Sequence, residues 1–505
     1  MEVLLSLSQL GSRCVSTIAG QLHALPSLPA PPSIFSRIPQ PSRLPKNIVS
    51  LALSLIFLYL LYEAFGLFSQ ARANTAHRIY IDQVNTTQHE LQALLAQPIS
   101  DEDFAGMGER IALFASILQT HVSDASLDRT SFHSLFQDYF PWWNPSHSTY
   151  TPWSSLSTAS ADNTTGIVMC AGSNNFLFAV QHIQTLRNVL HSTLPIQIAY
   201  AGDDDLHYSD RVILTSLGPN IETVNLLDHF HESVTGLKTG TWAQKPFAML
   251  ASRFQKVIIV DADTIFMQKP DKLFDEEPGL VGTGTLFYHD MARRQITDER
   301  QGWFHRLMEG REPSQMLNQS AFWSEGVFVE MESGVVCMDK GRPSVFMSLV
   351  FSSWMETEVV RKTVTGVHTH GDKETYWIAA ELSNTPYHFN PEYAGKLGVL
   401  RNNLKNEQSV CGVHLLHLDS NRNPLWFNFS LRKNKGLEGS REMASFTHWV
   451  SGNATTRLEW EYEGVDRVWC AWGAEPHALE GTEYWDVLLE MRREAEKVDE
   501  LYPDR

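Results

Sequence analysis

Three short apolar runs limit what this chain can fold into: GIVMCAG (Gly166–Gly172), PIQIAYAG (Pro195–Gly202) and KVIIVD (Lys256–Asp261). Each is too short for a core helix, contains β-branched residues and closes on glycine or aspartate, so each reads as a buried strand. Between the first two, Phe176 to His191 carries Val180, Ile183, Leu186 and Leu190 at helical spacing. Strand, helix, strand in that order predicts an α/β fold on a parallel sheet. Ligands of such sheets bind outside the carboxyl ends of the strands. Ser173 and Asp261 stand at two of those ends.

The third run continues as Asp261-Ala262-Asp263 and turns apolar again at Ile265-Phe266-Met267. Carboxylates flanked this way are partly removed from water, which is costly without a cation or hydrogen-bond donors. Hard divalent cations such as Mn²⁺ or Mg²⁺ take oxygen ligands and keep positions open for phosphates. Two carboxylates at i and i+2 on a strand end can aim at one such ion. The competing reading is a surface turn, because a D-x-D triplet alone is common. A second cluster, Asp203-Asp204-Asp205, is followed by Leu206-His207-Tyr208-Ser209-Asp210, and that polar setting predicts an exposed turn.

The chain has 505 residues and a formal charge of −18, which argues against nucleic acid as a partner. Cys170, Cys337, Cys411 and Cys470 include no C-x-x-C pair, so a zinc site is not expected. Two disulfides or four buried thiols are both open. Asn47 to Tyr62 carries no charge, and with Ala64 to Phe68 it is long enough for a short membrane span. Arg37, Arg43 and Lys46 precede it, the flank expected to stay cytosolic. The 46 residues before it are too many for a signal peptide's n-region, so an uncleaved anchor of type II topology is expected. Sequons begin at Asn85, Asn163, Asn318, Asn428 and Asn453, all after the anchor.

The expected organisation is a Pro-rich cytosolic tail at 1–46, an anchor at 47–68 and a helical stem at 69–165. In the stem, helices are expected over 76–97 and 101–121, and Tyr139 to Trp153 is expected to pack as an aromatic loop. A catalytic domain at 166–430 and a C-terminal extension at 431–505 complete the chain.

Four ordered blocks carry a resemblance: TWAQKPFAMLASRFQKVIIVDADTIFMQKPDKLFDEE (Thr241–Glu277), GTGTLFYHD (Gly282–Asp290), ESGVVCMDKGR (Glu332–Arg342) and HGDKETYWIAAEL (His370–Leu382). Together they resemble the fungal Golgi α-1,3-mannosyltransferases, retaining enzymes of the GT-A fold. The resemblance implies a type II Golgi membrane enzyme that moves mannose from GDP-mannose to a mannose-terminated protein glycan. It implies Mn²⁺ or Mg²⁺ held chiefly by Asp263, with Asp261 touching metal and ribose. For a third ligand, CGVHLLHLDSNRNPLWF offers His417, with His414 as a core histidine. Asn423 stands where related transferases carry a lysine, so Arg422 is the candidate for the missing phosphate contact. Lys245 matches a donor-contacting lysine, and its bland alternative is a surface lysine beside Pro246. Ser173 would line the nucleotide pocket through backbone groups. Asp372 or Glu374 would face the sugar and would be the candidates in a double displacement, while Asp372 could instead be a helix N-cap. Glu332, His289 and Asp290 are secondary candidates on the acceptor side. The alternatives are an α-1,2 linkage, another donor, or a non-catalytic lumenal glycan-binding protein on the same fold.

Overall fold

The three apolar runs are strands of one sheet, and a fourth strand lies beside them. β1 (Thr165–Cys170), β2 (Ile196–Tyr200), β3 (Ile221–Asn225) and β4 (Lys256–Asp261) run parallel in the order β3-β2-β1-β4. Their runs do not alternate because both faces are covered. Ile167, Met169, Ile258 and Val260 enter one hydrophobic cluster, and Val168, Val257 and Ile259 another. This computed structural model describes residues 99–122, 136, 139–143, 164–291, 298–327, 329–402, 406–436, 441–464 and 467–503. The expected anchor at 47–68 and the helix expected over 76–97 lie outside them. No helix among the described residues is long and apolar enough to cross a membrane.

Beyond β4 the sheet is mixed rather than parallel. β5 (Ile265–Phe266) and β6 (Thr285–His289) precede β7 (Met331–Asp339), which pairs antiparallel with both β4 and β6. β8 (Phe389–Asn402) lies parallel to β6 and antiparallel to β9 (Gln408–Leu418). A strand buried on both faces has the same apolar composition in either direction, which is why the run in β7 gave no sign of its reversal. β10 (Pro424–Phe427) pairs with β9 and with β5, so the residues just after Asp263 are held by main-chain bonds.

The segment after residue 430, expected as a C-terminal extension, adds strands to the same sheet. β11 (His448–Asn453) pairs with β8; β12 (Glu459–Glu463) pairs with β13 (Val468–Trp472), which joins β9; β14 (His477–Ala478) pairs with β11. A disulfide links Cys411 of β9 to Cys470 of β13, while Cys170 and Cys337 are free thiols.

Six helices bear on the placement of the site. α1 (Phe104–Val122) falls where a stem helix is expected, and it packs on the sheet's helical layer. Its Phe104 lies edge-on to Trp354 of α4 (Pro343–Met355), centroids 5.1 Å apart. Of the aromatic loop expected over 139–153, residues 139–143 are described, and there Trp142 and Trp143 are buried against Phe247 and Phe230. α2 (Phe176–Gln184) follows β1, and α3 (Gln244–Ala251) precedes β4. α5 (Thr375–Leu382) carries the HGDKETYW block, and α6 (Glu483–Leu501) closes the chain against α2.

Candidate active site

β4 delivers Asp261 to the sheet's carboxyl edge, and the turn that follows is pinned from three sides. Thr264 N donates to Asp261 O (3.1 Å), Thr264 Oγ1 donates to Gly334 O (3.0 Å), and Ser430 N donates to Asp263 O (2.7 Å). A cavity of about 710 Å³ opens above this edge. Six carboxylates and four lysines line it: Asp205, Asp261, Asp263, Asp290, Glu332 and Asp372 against Lys238, Lys245, Lys373 and Lys435.

Lys245 is the hub. Its Nζ lies 3.0 Å from Asp261 Oδ1 and 3.0 Å from Asp372 Oδ2, and it donates to Ser333 O (3.0 Å) and Ser333 Oγ (2.8 Å). The side chain is 3% exposed, so the surface-lysine reading is excluded. It is buried because α3 starts after a 3₁₀ turn, Thr241–Ala243, that drives its first turn into the domain. Burial disfavours the ammonium, but Asp261 and Asp372 outweigh that and hold it charged above the usual lysine range. Asp372 is no N-cap. Its carboxylate accepts from Ser333 Oγ (3.2 Å) and Tyr376 OH (3.1 Å), and the residue before α5 is Glu374. Burial raises the Asp372 carboxyl above its ordinary value, with Lys245 opposing.

Next to Asp372 in the chain, Lys373 Nζ bridges Asp290 Oδ2 (2.5 Å) and Glu332 Oε2 (2.7 Å). Glu332 Oε1 accepts from Gly334 N (3.0 Å) and Asn428 Nδ2 (2.9 Å). Burial pushes Glu332 up, but Lys373, the next influence, and the others that favour its anion prevail and hold it down at about 2. Beside the D-x-D, the Lys435 ammonium meets Asp263 Oδ2 and lies 4.3 Å from the Phe429 ring centroid. Burial brings Lys435 down to about 8.

The expected site residues therefore divide. Asp261, Asp263, Lys245 and Asp372 meet in one cavity. Ser173 stands one residue behind the wall formed by Gly172, Asn174 and Asn175. Its N donates to Asp205 O (2.7 Å) and its Oγ accepts from His207 N (2.9 Å), so neither faces a nucleotide. Glu374 does not line the cavity. It accepts from Glu330 N (3.1 Å), Met331 N (3.4 Å) and Trp377 Nε1 (2.5 Å), and burial raises it to about 7. Arg422, in a left-handed turn, reaches Glu392 at 3.2 Å, away from the cavity. His417 is buried behind the wall and stacked on Trp426 at 4.0 Å, and burial lowers it to about 3. Neither of its ring nitrogens has a hydrogen-bond partner, so it keeps unused donor capacity beside Tyr288. His414 is the core histidine, its Nε2 2.9 Å from Arg432 O.

Asp205 and Lys435 are among the lining residues that escape a sequence reading. Asp205 belongs to the cluster expected to be an exposed turn. Asp203 is, pairing with Arg211 at 2.6 Å, but Asp205 turns inward to accept from Ala201 N (2.8 Å) and Gln244 Nε2 (3.2 Å). Its place one residue before buried Leu206 was the available signal. Lys435 lies in the segment set aside as an extension, and no local pattern marks it.

Asp261 and Asp263 fit a hard divalent cation. Both offer oxygen, Asp261 keeps 26% of its side chain open, and Asp263 already holds a cationic group, the Lys435 ammonium.

Residues 164–419 match the family model Mannosyl_trans3, described as "Mannosyltransferase putative". That is about half of the chain, and it spans β1 to the end of β9. The chain belongs to this family, and its relatives are the MNN-type fungal α-1,3-mannosyltransferases. It is 24% identical over 345 residues to "Alpha-1,3-mannosyltransferase MNN1" of Saccharomyces cerevisiae, covering 58% of this chain and 44% of that one. It is 24% identical over 316 residues to "Alpha-1,3-mannosyltransferase MNT2" of the same organism, covering 55% and 53%. The chain thus spans about half the length of these relatives. Among solved structures, core-mannan synthase A of Aspergillus fumigatus in a Mn/GDP form matches at TM-score 0.29 and 9% identity, over 49% of this chain and 77% of that one, too distant to argue from.

Proposed function

We propose that this chain is a retaining, metal-dependent mannosyltransferase of the GT-A type. It takes GDP-mannose as donor, a mannose-terminated glycan as acceptor, and forms an α-1,3 linkage. The observation that carries this reading is the meeting of Asp261, Asp263, Lys245 and Asp372 in one cavity at the carboxyl edge of β1 and β4, in a chain of mannosyltransferase kin.

Asp261 and Asp263 would hold Mn²⁺ or Mg²⁺, which stabilises the charge that grows on a departing diphosphate. Lys435 stands beside them as a second positive charge for that diphosphate. Asn174 and Asn175, past the end of β1, and Asp205, past the end of β2, offer amide and carboxylate groups for the nucleoside. Lys245 holds Asp372 in the cavity lining, where the Asp372 carboxylate can accept a sugar hydroxyl. GDP-mannose is an α-glycoside, so an α-linked product means retention. Front-face attack, with the acceptor hydroxyl giving its proton to the leaving phosphate, needs no protein nucleophile. In a double displacement, Asp372 is the member of the Asp372/Glu374 pair that reaches the cavity. The uncharged run Asn47–Tyr62 and the Cys411–Cys470 disulfide support a type II protein of the Golgi membrane with this domain lumenal.

The test is transfer of mannose from GDP-mannose to α-mannobiose by the full chain, with and without Mn²⁺, followed by linkage analysis of the product. Asp263→Ala should cost at least about a hundredfold in kcat, the scale of removing one electrostatic element. Full metal-dependent activity in that variant refutes the site, and an α-1,2 product refutes the linkage.

A further inference from the structure

At the cavity mouth Trp242 stands 57% exposed, and it alone among the exposed large hydrophobic residues described lines this cavity. Its position is built. The indole lies beside the His370 ring, centroids 5.9 Å apart and tilted 38°. Gly371 follows in a left-handed conformation (φ 62°), and a Cβ there would stand 3.2 Å from indole Cε3. Glycine lets the main chain pass close under the ring and then deliver Asp372, the next residue, to Lys245. One side of the indole is thus backed by the His370–Gly371 main chain while more than half of its surface is left to solvent. In the same cavity Lys373 holds Asp290 and Glu332, hydrogen-bonding groups of the kind that take sugar hydroxyls.

We propose that Trp242, backed by His370 and Gly371, is the stacking shelf for the acceptor's terminal hexopyranose. A pyranose presents axial C–H groups on one face and hydroxyls at its edge. An aromatic plane and charged, hydrogen-bonding groups lining one cavity match that division. The alternative occupant, the donor's nucleobase, has its own polar groups at Asn174 and Asn175, past the end of β1, and at Asp205, past the end of β2. This inference rests on the mannosyltransferase reading for the identity of the sugar.

Two titrations of the full chain test it, both followed by calorimetry: α-mannobiose, and GDP with Mn²⁺. Trp242→Ala should weaken α-mannobiose binding, and raise the acceptor KM, by about tenfold, within the range of one aromatic stack. It should leave the GDP affinity within about twofold, and Trp242→Phe should keep most of the glycan affinity. A normal melting temperature shows that the variants fold, as an exposed residue predicts. Unchanged glycan binding in Trp242→Ala overturns the shelf, and so does an equal loss of GDP affinity, which would make the indole a nucleobase contact. Failure of the wild-type chain to turn over GDP-mannose would sink the mannosyltransferase reading, while direct glycan binding still decides the shelf.

Discussion

Lys245→Met removes one ammonium and keeps most of its shape, so it isolates the charge at the centre of the cavity. In the wild type that ammonium serves Asp261, Asp372 and two oxygens of Ser333 at 2.8 to 3.0 Å. Asp261 can turn to water, because a quarter of its side chain is exposed, but Asp372 is 2% exposed and cannot. Removing one partner of a buried pair costs about 3–5 kcal/mol, because the other charge stays uncompensated. We expect a loss of about 4 kcal/mol in urea unfolding at pH 7. The sign of the pH dependence follows from Asp372. Its carboxyl already lies above its ordinary value, with burial the first cause and Lys245 the main opposition. Without Lys245 it rises further. A carboxyl raised in the fold favours folding while protonated and opposes it once ionised. The variant's deficit should therefore be smallest below about pH 4, the ordinary aspartate value, and should grow towards neutrality. Lys245→Met with Asp372→Asn should recover more than half of the loss. A deficit under about 1 kcal/mol, or one that does not change between pH 4 and pH 7, refutes the claim that Lys245 offsets the burial of the Asp372 carboxyl.

Cys470→Ser opens a loop with a sequence separation of 59 residues, for which the chain-entropy relation gives about 4 kcal/mol; a loss below about 1 kcal/mol, read by urea unfolding without reductant, would contradict that. Lys435→Met frees Asp263 from its internal cation, so Mn²⁺ alone should bind about fivefold tighter, the ~1 kcal/mol of a partly exposed pair, while GDP with Mn²⁺ should bind more weakly. Tighter GDP binding would refute the phosphate role of Lys435.

Strand runs, the helix after β1 and the placing of Asp261 at a strand end were all legible in the sequence. They depend on local patterning: β-branched composition, apolar spacing and a charge beside apolar residues act over a few neighbouring positions. The paired D-x-D was visible for the same reason, since its apolar flanks are its immediate neighbours. The direction of β7 was not legible, because a strand covered on both faces looks alike either way. The burial of Lys245 was not either. Lysine beside proline at a helix start is ordinary surface chemistry until Ser333 and Asp372, 88 and 127 positions away, close over it. Glu374 and Asp372 shared one motif, and only the fold turned one to the cavity and the other to the main chain of β7. Lys435 shows the limit most clearly. It joins Asp263 because β10 returns the chain beside β5 and the next loop crosses the strand end. Local sequence decides which segments become strands and helices. The charge balance of the cavity is a sum over side chains that only long-range packing brings together.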